Sequence, residues 1–105
     1  MNTQMFLEQL KSVFKLGGYK GYQQTRDILR EYGIEVNSTG GANLGRCYNS
    51  NTFEIISTEE LSDEVINILW DVGMIGYGQE FSFKKVGQRE GMFIVKTEAR
   101  VDSSD

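Results

Sequence analysis

The stretch "STEELSDEVINILWDVG", residues 57–73, decides the fold class. Leu61, Val65, Ile68, Leu69 and Val72 recur at helical spacing and make one apolar stripe. Ser57 and Glu60 stand at capping-box spacing, where the serine oxygen accepts from a free backbone N–H and the glutamate reaches back. Glu59, Glu60, Asp63 and Glu64 suit the positive end of the helix dipole, and Gly73 is placed to end the helix. "TFEIIS", residues 52–57, comes just before and is rich in β-forming side chains. "QEFSFKKV" and "GMFIVKTEA" follow around "GQRE", with Phe81 and Phe83 alternating in one and Phe93 and Val95 in the other. A helix set between a strand and a hairpin gives the order β-α-β-β.

Upstream, the periodicity predicts two helices. Residues 3–16 place Phe6, Leu7, Leu10, Val13 and Phe14 on one face, with Thr3 as cap and Gly17-Gly18 as stop. Residues 22–32 place Tyr22, Thr25, Ile28, Leu29 and Tyr32 together, with Gly33 as stop. Ile34 and Val36 suit a short strand, "NSTGGAN" a turn or loop, and "LGRCYN" either a strand or a short helix. The expected architecture is α+β: two N-terminal helices, then β-α-β-β with a small antiparallel sheet packed against helices. Residues 1–99 form a single domain, and 100–105 form a polar tail expected to fray.

Composition narrows the chemistry. The chain of 105 residues is one domain in length. It has no histidine, which removes the usual general base and the commonest transition-metal ligand. Cys47 is the only cysteine, so neither an internal disulfide nor a zinc site is expected. Arg46 beside it could lower the thiol pKa, but a small buried thiol is the plainer reading. No phosphate-loop pattern is present; "GGYKG", residues 17–21, follows a helix rather than a strand and reads as a bend with Gly17 or Gly18 at positive φ. Neither a cofactor nor catalysis is expected. No apolar run is long enough to span a bilayer, and "MNTQMFLEQLKSVFK" lacks the continuous apolar stretch of a signal peptide, so a cytoplasmic location is expected.

Charge is uneven. The net −4 divides into +2 over residues 1–50 and −6 over residues 51–105. The acidic half offers a protein-binding surface for a basic partner: Glu59, Glu60, Asp63, Glu64 and Asp71, with the aromatic and apolar Trp70, Met74 and Tyr77 beside them. The glycine-rich "VGMIGYGQ", residues 72–79, is more apolar than a turn requires, which suits a partner contact or a homodimer, with burial as the plainer account. The basic half supports an alternative, a nucleic-acid-binding regulator using Tyr19, Lys20, Tyr22, Gln23, Arg26, Arg30, Asn43 and Arg46. Against it, Asp27 and Arg30 are spaced for a local ion pair. The short, acidic, compact profile without a catalytic set is similar to that of small phage-encoded inhibitors, including anti-CRISPR proteins. That resemblance lies in profile alone. It implies a non-enzymatic protein that blocks or modulates another macromolecule, and it transfers no site residues.

Overall fold

The computed structural model describes residues 3–14, 18–43 and 48–102, with side chains for 4–13, 21–41 and 49–101. Seven elements follow in order: α1 (Thr3–Phe14), α2 (Gly18–Glu31), β1 (Ile34–Asn43), β2 (Tyr48–Ser57), α3 (Asp63–Asp71), β3 (Glu80–Arg89) and β4 (Met92–Asp102). The fold is α+β with two N-terminal helices and one four-stranded sheet. Strand order is β1-β2-β4-β3, and every neighbouring pair is antiparallel. The C-terminal strand therefore lies inside the sheet, and α3 carries the chain over β4 from β2 to β3.

Alternation sorts the strands into two faces. Ile34 and Val36 of β1, Ile55 of β2 and Val95 of β4 join Phe6, Leu10, Leu29, Val65, Ile66 and Leu69 of the helices in one core. Register places Ile55 opposite Val95 and Val36 opposite Ile55, so this apolar row crosses the sheet. Phe6 meets Tyr32 edge-on, with ring centroids 5.0 Å apart, and the Tyr32 hydroxyl donates to Gln9 Oε1 at 2.5 Å. These contacts join α1 to the end of α2. At the buried middle of α2, Thr25 Oγ1 donates to the Gly21 carbonyl at 2.8 Å, which satisfies a polar group next to the core.

Several boundaries differ from expectation for identifiable reasons. Helix α2 begins at Gly18, not at residue 22, so Gly18 and Gly21 are helical. Gly21 is buried, and that burial outweighs its low helix propensity. Gly17 lies outside the described residues. Helix α3 begins later than the Ser57–Glu60 pattern indicates: Ser62 is the cap and accepts from Val65 N at 3.3 Å. Ser57 is instead the last residue of β2, and its hydroxyl donates to the Glu59 carbonyl at 2.6 Å. Ile66, outside the expected stripe, is fully buried and belongs to the same core as Val65 and Leu69.

"NSTGGAN" is strand rather than loop, with Thr39 as an extra residue at a bulge. The last hairpin is tighter than expected. "GQR" stays in β3, and only Glu90 and Gly91 turn the chain, both at positive φ as in a type I′ turn. Strand β4 runs to Asp102, so Arg100 to Asp102 belong to the sheet rather than to a frayed tail. Among the described residues, no helix is long and apolar enough to cross a membrane.

Neighbouring positions on α3 test its placement. Ile66→Ala removes a fully buried side chain and should lower unfolding free energy by about 2–5 kcal/mol. Asn67→Ala, on the exposed face, should change it by less than ~0.5 kcal/mol. Urea denaturation of both variants checks the pair, and equal losses would contradict the helix orientation.

Candidate binding surfaces

The acidic and aromatic residues separate into two groups along α3. At its start, Glu59 and Glu60 lie in the connection from β2 rather than on the helix, while Asp63 and Glu64 form its first turn. All four are exposed. Asp63 is also anchored to the sheet, because Lys85 Nζ approaches its Oδ1 at 2.9 Å. Where the connection passes the end of α2, a cavity of about 220 Å³ opens between Tyr32, Leu61 and Val65. Glu59 and Glu60 stand at its lining. Ser57 and Ser62 complete a mixed polar and apolar lining, and with the two carboxylates it suits a long cationic side chain that keeps its charge at the rim.

The second group lies at the other end of α3 and in the loop beyond it. Trp70 is half-buried and stacks on Phe81 of β3, with centroids 4.6 Å apart and planes 10° from parallel. Asp71 is exposed. In the loop that follows, Met74 and Ile75 turn into the core, so Met74 offers no surface for a partner. Burial thus accounts for most of the loop's apolar character. Tyr77 is the exception, at 72% exposure.

The backbone around Tyr77 is held on both sides. Tyr77 N donates to Asn51 Oδ1 at 3.0 Å, and Asn51 Nδ2 donates to the Tyr77 carbonyl at 3.2 Å. One amide side chain thus pairs with Tyr77 much as a neighbouring strand would. Gln79 N then donates to the Arg100 carbonyl at 3.0 Å. Gly76 and Gly78, on either side, have φ of +100° and +151°. A Cβ at Gly76 would overlap the Asn51 side chain, and one at Gly78 would overlap the Arg100 backbone. Both glycines are required by this close approach, which fixes the backbone that carries an exposed ring.

The basic residues of α2 are less collected. The Arg26 guanidinium lies 5.9 Å from the Tyr22 ring centroid, a cation–π distance, and Tyr22 is exposed. Arg30 Nη1 is 3.8 Å from Asp27 Oδ1, with both side chains mostly in solvent. Gln23 is half-buried. Tyr19 and Lys20 fall within α2, and Asn43 at the end of β1, but their side chains lie outside the described residues; Arg46 and Cys47 lie outside them altogether.

A further polar surface was not among the sequence candidates. The sheet face turned away from the helices holds an open groove of about 420 Å³, lined in part by Thr39, Thr52, Ser82, Lys84 and Lys96. Lys84 and Lys96 stand directly opposite each other in the β3–β4 register. The nearby carboxylates are engaged elsewhere. Glu54, 15% exposed, pairs with Arg89 at 2.6 Å, and Glu98 pairs with Arg100 at 2.8 Å. That bond raises the Arg100 pKa above its usual value, with the fields of Glu98 and Glu80 adding to it. Outward alternation of Ser82 and Lys84 against Phe81 and Phe83 was the available sequence signal, but the facing of the two lysines needs the register. Among the described residues, no group of three or more cysteines and carboxylates is placed to hold a metal ion.

Asn51→Ala should lower stability by about 1–3 kcal/mol, since it leaves the Tyr77 N–H and carbonyl without their partner. It should also speed hydrogen exchange of the Tyr77 amide relative to β2 and β4. Uniform acceleration across the sheet would show that Asn51 supports the whole fold and not this loop in particular. No known protein family, curated protein or solved structure matches the chain.

Proposed function

We propose that this protein is a non-enzymatic binding protein that occupies a basic surface of another protein and thereby blocks or modulates it. The observation that carries this reading is the presence of two features in the segments that flank α3. One is a cavity able to take a cationic side chain at Glu59 and Glu60; the other is an exposed tyrosine at position 77 whose backbone is held by Asn51. Tyrosine anchors and their surrounding charges are the usual makings of an interface. Asp63, Glu64 and Asp71 lie on the helix between or beside them and would steer a basic partner during encounter. This mode of action would match that of small phage inhibitors of the anti-CRISPR type.

The nucleic-acid alternative has weaker support. The α2 cations are few, Arg26 rests over a tyrosine, and Asp27 stands beside Arg30.

The test compares wild type, Glu59→Lys/Glu60→Lys and Tyr77→Ala as immobilised baits in lysate of the source cells at low and moderate salt. Matched thermal melting of the three proteins establishes that the fold is intact. A specifically retained protein should be lost or reduced roughly tenfold with either variant, as expected for removal of an interface anchor. Its retention by wild type should also weaken with salt. Identical retention by all three baits would refute the assignment of this surface. In parallel, steeply salt-dependent binding of labelled duplex DNA or single-stranded RNA, lost on Arg26→Ala/Arg30→Ala, would move the function to α2.

A further inference from the structure

Strand β3 is an edge strand, bonded to β4 on one side only. Its outer edge is long and its residues are largely exposed. The bulge at Val86, which is 43% exposed, interrupts only the second half. Residues 80–84, "EFSFK", keep regular pairing with β4 and leave a straight edge beside it. Natural edge strands are normally protected against pairing with another chain; this half has neither proline nor bulge, and its protection is the charge of Glu80 and Lys84, which a partner of complementary charge would satisfy.

We propose that two copies of this protein associate through this edge, with the β3 strands antiparallel and centred on Ser82. The segment is self-complementary about that residue. Antiparallel pairing about Ser82 sets Glu80 opposite Lys84 of the second copy, and Lys84 opposite its Glu80. It also sets Phe81 opposite Phe83 in both directions. Opposed residues in an antiparallel pair share a face, and the parity agrees: Glu80, Ser82 and Lys84 point away from the helices, Phe81 and Phe83 toward them. On the helix side, the row Trp70–Phe81–Phe83 within one copy continues into the same row of the other.

The charges give a reason for this partner over others. Lys84 faces Lys96 of β4, and among the described residues no carboxylate lies within ion-pair distance of Lys84. Like charges directly opposed in a sheet destabilise it. Glu80 of the second copy would stand on the free side of Lys84 and offset the repulsion. Glu80 itself lies opposite Arg100 and would gain Lys84 on its other side. The interface is isologous and closes after two copies, because each β3 has one free edge. A contact built on one short strand edge is at the small end of protein interfaces, so the dimer should depend on concentration.

Sedimentation velocity from micromolar to millimolar concentration tests the proposal, with wild type, Glu80→Lys, Lys84→Glu and the double exchange Glu80→Lys/Lys84→Glu. Each single reversal places two like-charged pairs at the interface and should raise the dimerisation midpoint roughly tenfold. The double exchange restores opposite charges and should return the midpoint to within about threefold of wild type. Both positions changed, 80 and 84, are exposed surface, and thermal melting confirms that the variants stay folded. A wild type that remains monomeric throughout overturns the proposal. So does a dimer that ignores the single reversals, or one that the double exchange fails to recover. None of these outcomes bears on retention of a partner by Glu59, Glu60 and Tyr77, which are not part of the edge.

Discussion

The pairing of β2 with β4 holds the molecule together. It joins two hairpins that are each local in sequence, β1 with β2 and β3 with β4, into one sheet. Its ten opposed residue pairs run without a bulge, from Tyr48 opposite Asp102 to Ser57 opposite Phe93. Because side chains alternate, this one register decides what faces the helices on all four strands. A slip by one residue would send Ile55 and Val95 to solvent and bring Glu54 and Lys96 into the core. The row Asn51–Ala99–Phe81 follows from the same register. On it rest the stack of Trp70 on Phe81 and the hold of Asn51 on the Tyr77 backbone.

The elements legible in the sequence are those with a strong amphipathic period. The stripe of α3 and the alternation of Phe81/Phe83 and Phe93/Val95 led directly to the α+β class. The errors concentrate where local chemistry is ambiguous. Ser57 and Ser62 both precede acidic residues and an apolar run, and only strand pairing shows that Ser57 is spoken for by β2. Thr39 to Asn43 carry glycines that suggest a turn, yet β2 supplies a ladder for them. Such pairing outweighs weak local preference. On β3, "GQR" resembles loop but continues to pair past a bulge.

The candidate surfaces were partly legible for the same reasons. Exposed charges on a helix can be anticipated from periodicity, and Asp63, Glu64 and Asp71 are exposed. Met74 and Tyr77 sit three residues apart in one glycine-rich loop, and no periodicity tells which of them is buried. The difference arises from Asn51, twenty-six residues earlier in the chain. The cavity beside Glu59 and Glu60 likewise needs Tyr32 from the end of α2, a neighbour that only the tertiary fold provides. The facing of Lys84 with Lys96 has no local signature either.

Burial is not confined to the helix side. Ile94 faces away from the helices and is 4% exposed, opposite Ile56. The ion pair from Arg89 on β3 to Glu54 on β2 passes diagonally over β4 at this point, so the arginine stem serves as a cover for the isoleucine. Charge on the open face thus has a packing role as well as an electrostatic one.

The central place of β4 has a consequence for how the chain is made. Of the seven elements it is the last to be synthesised, yet both β2 and β3 depend on it. As translation proceeds, the β1–β2 hairpin and three helices are complete before the strand that must lie beside β2 exists. Between the end of β2 and the start of β4 come residues 58–91, and throughout their synthesis one edge of β2 has no neighbour. During that interval the nascent chain carries Ile55 and Phe53 on a strand with one free edge, a state prone to aggregation and attractive to chaperones. Closure of the core is therefore a late and cooperative event set by long-range pairing, and the folding rate should be that of a high-contact-order domain rather than a helical one.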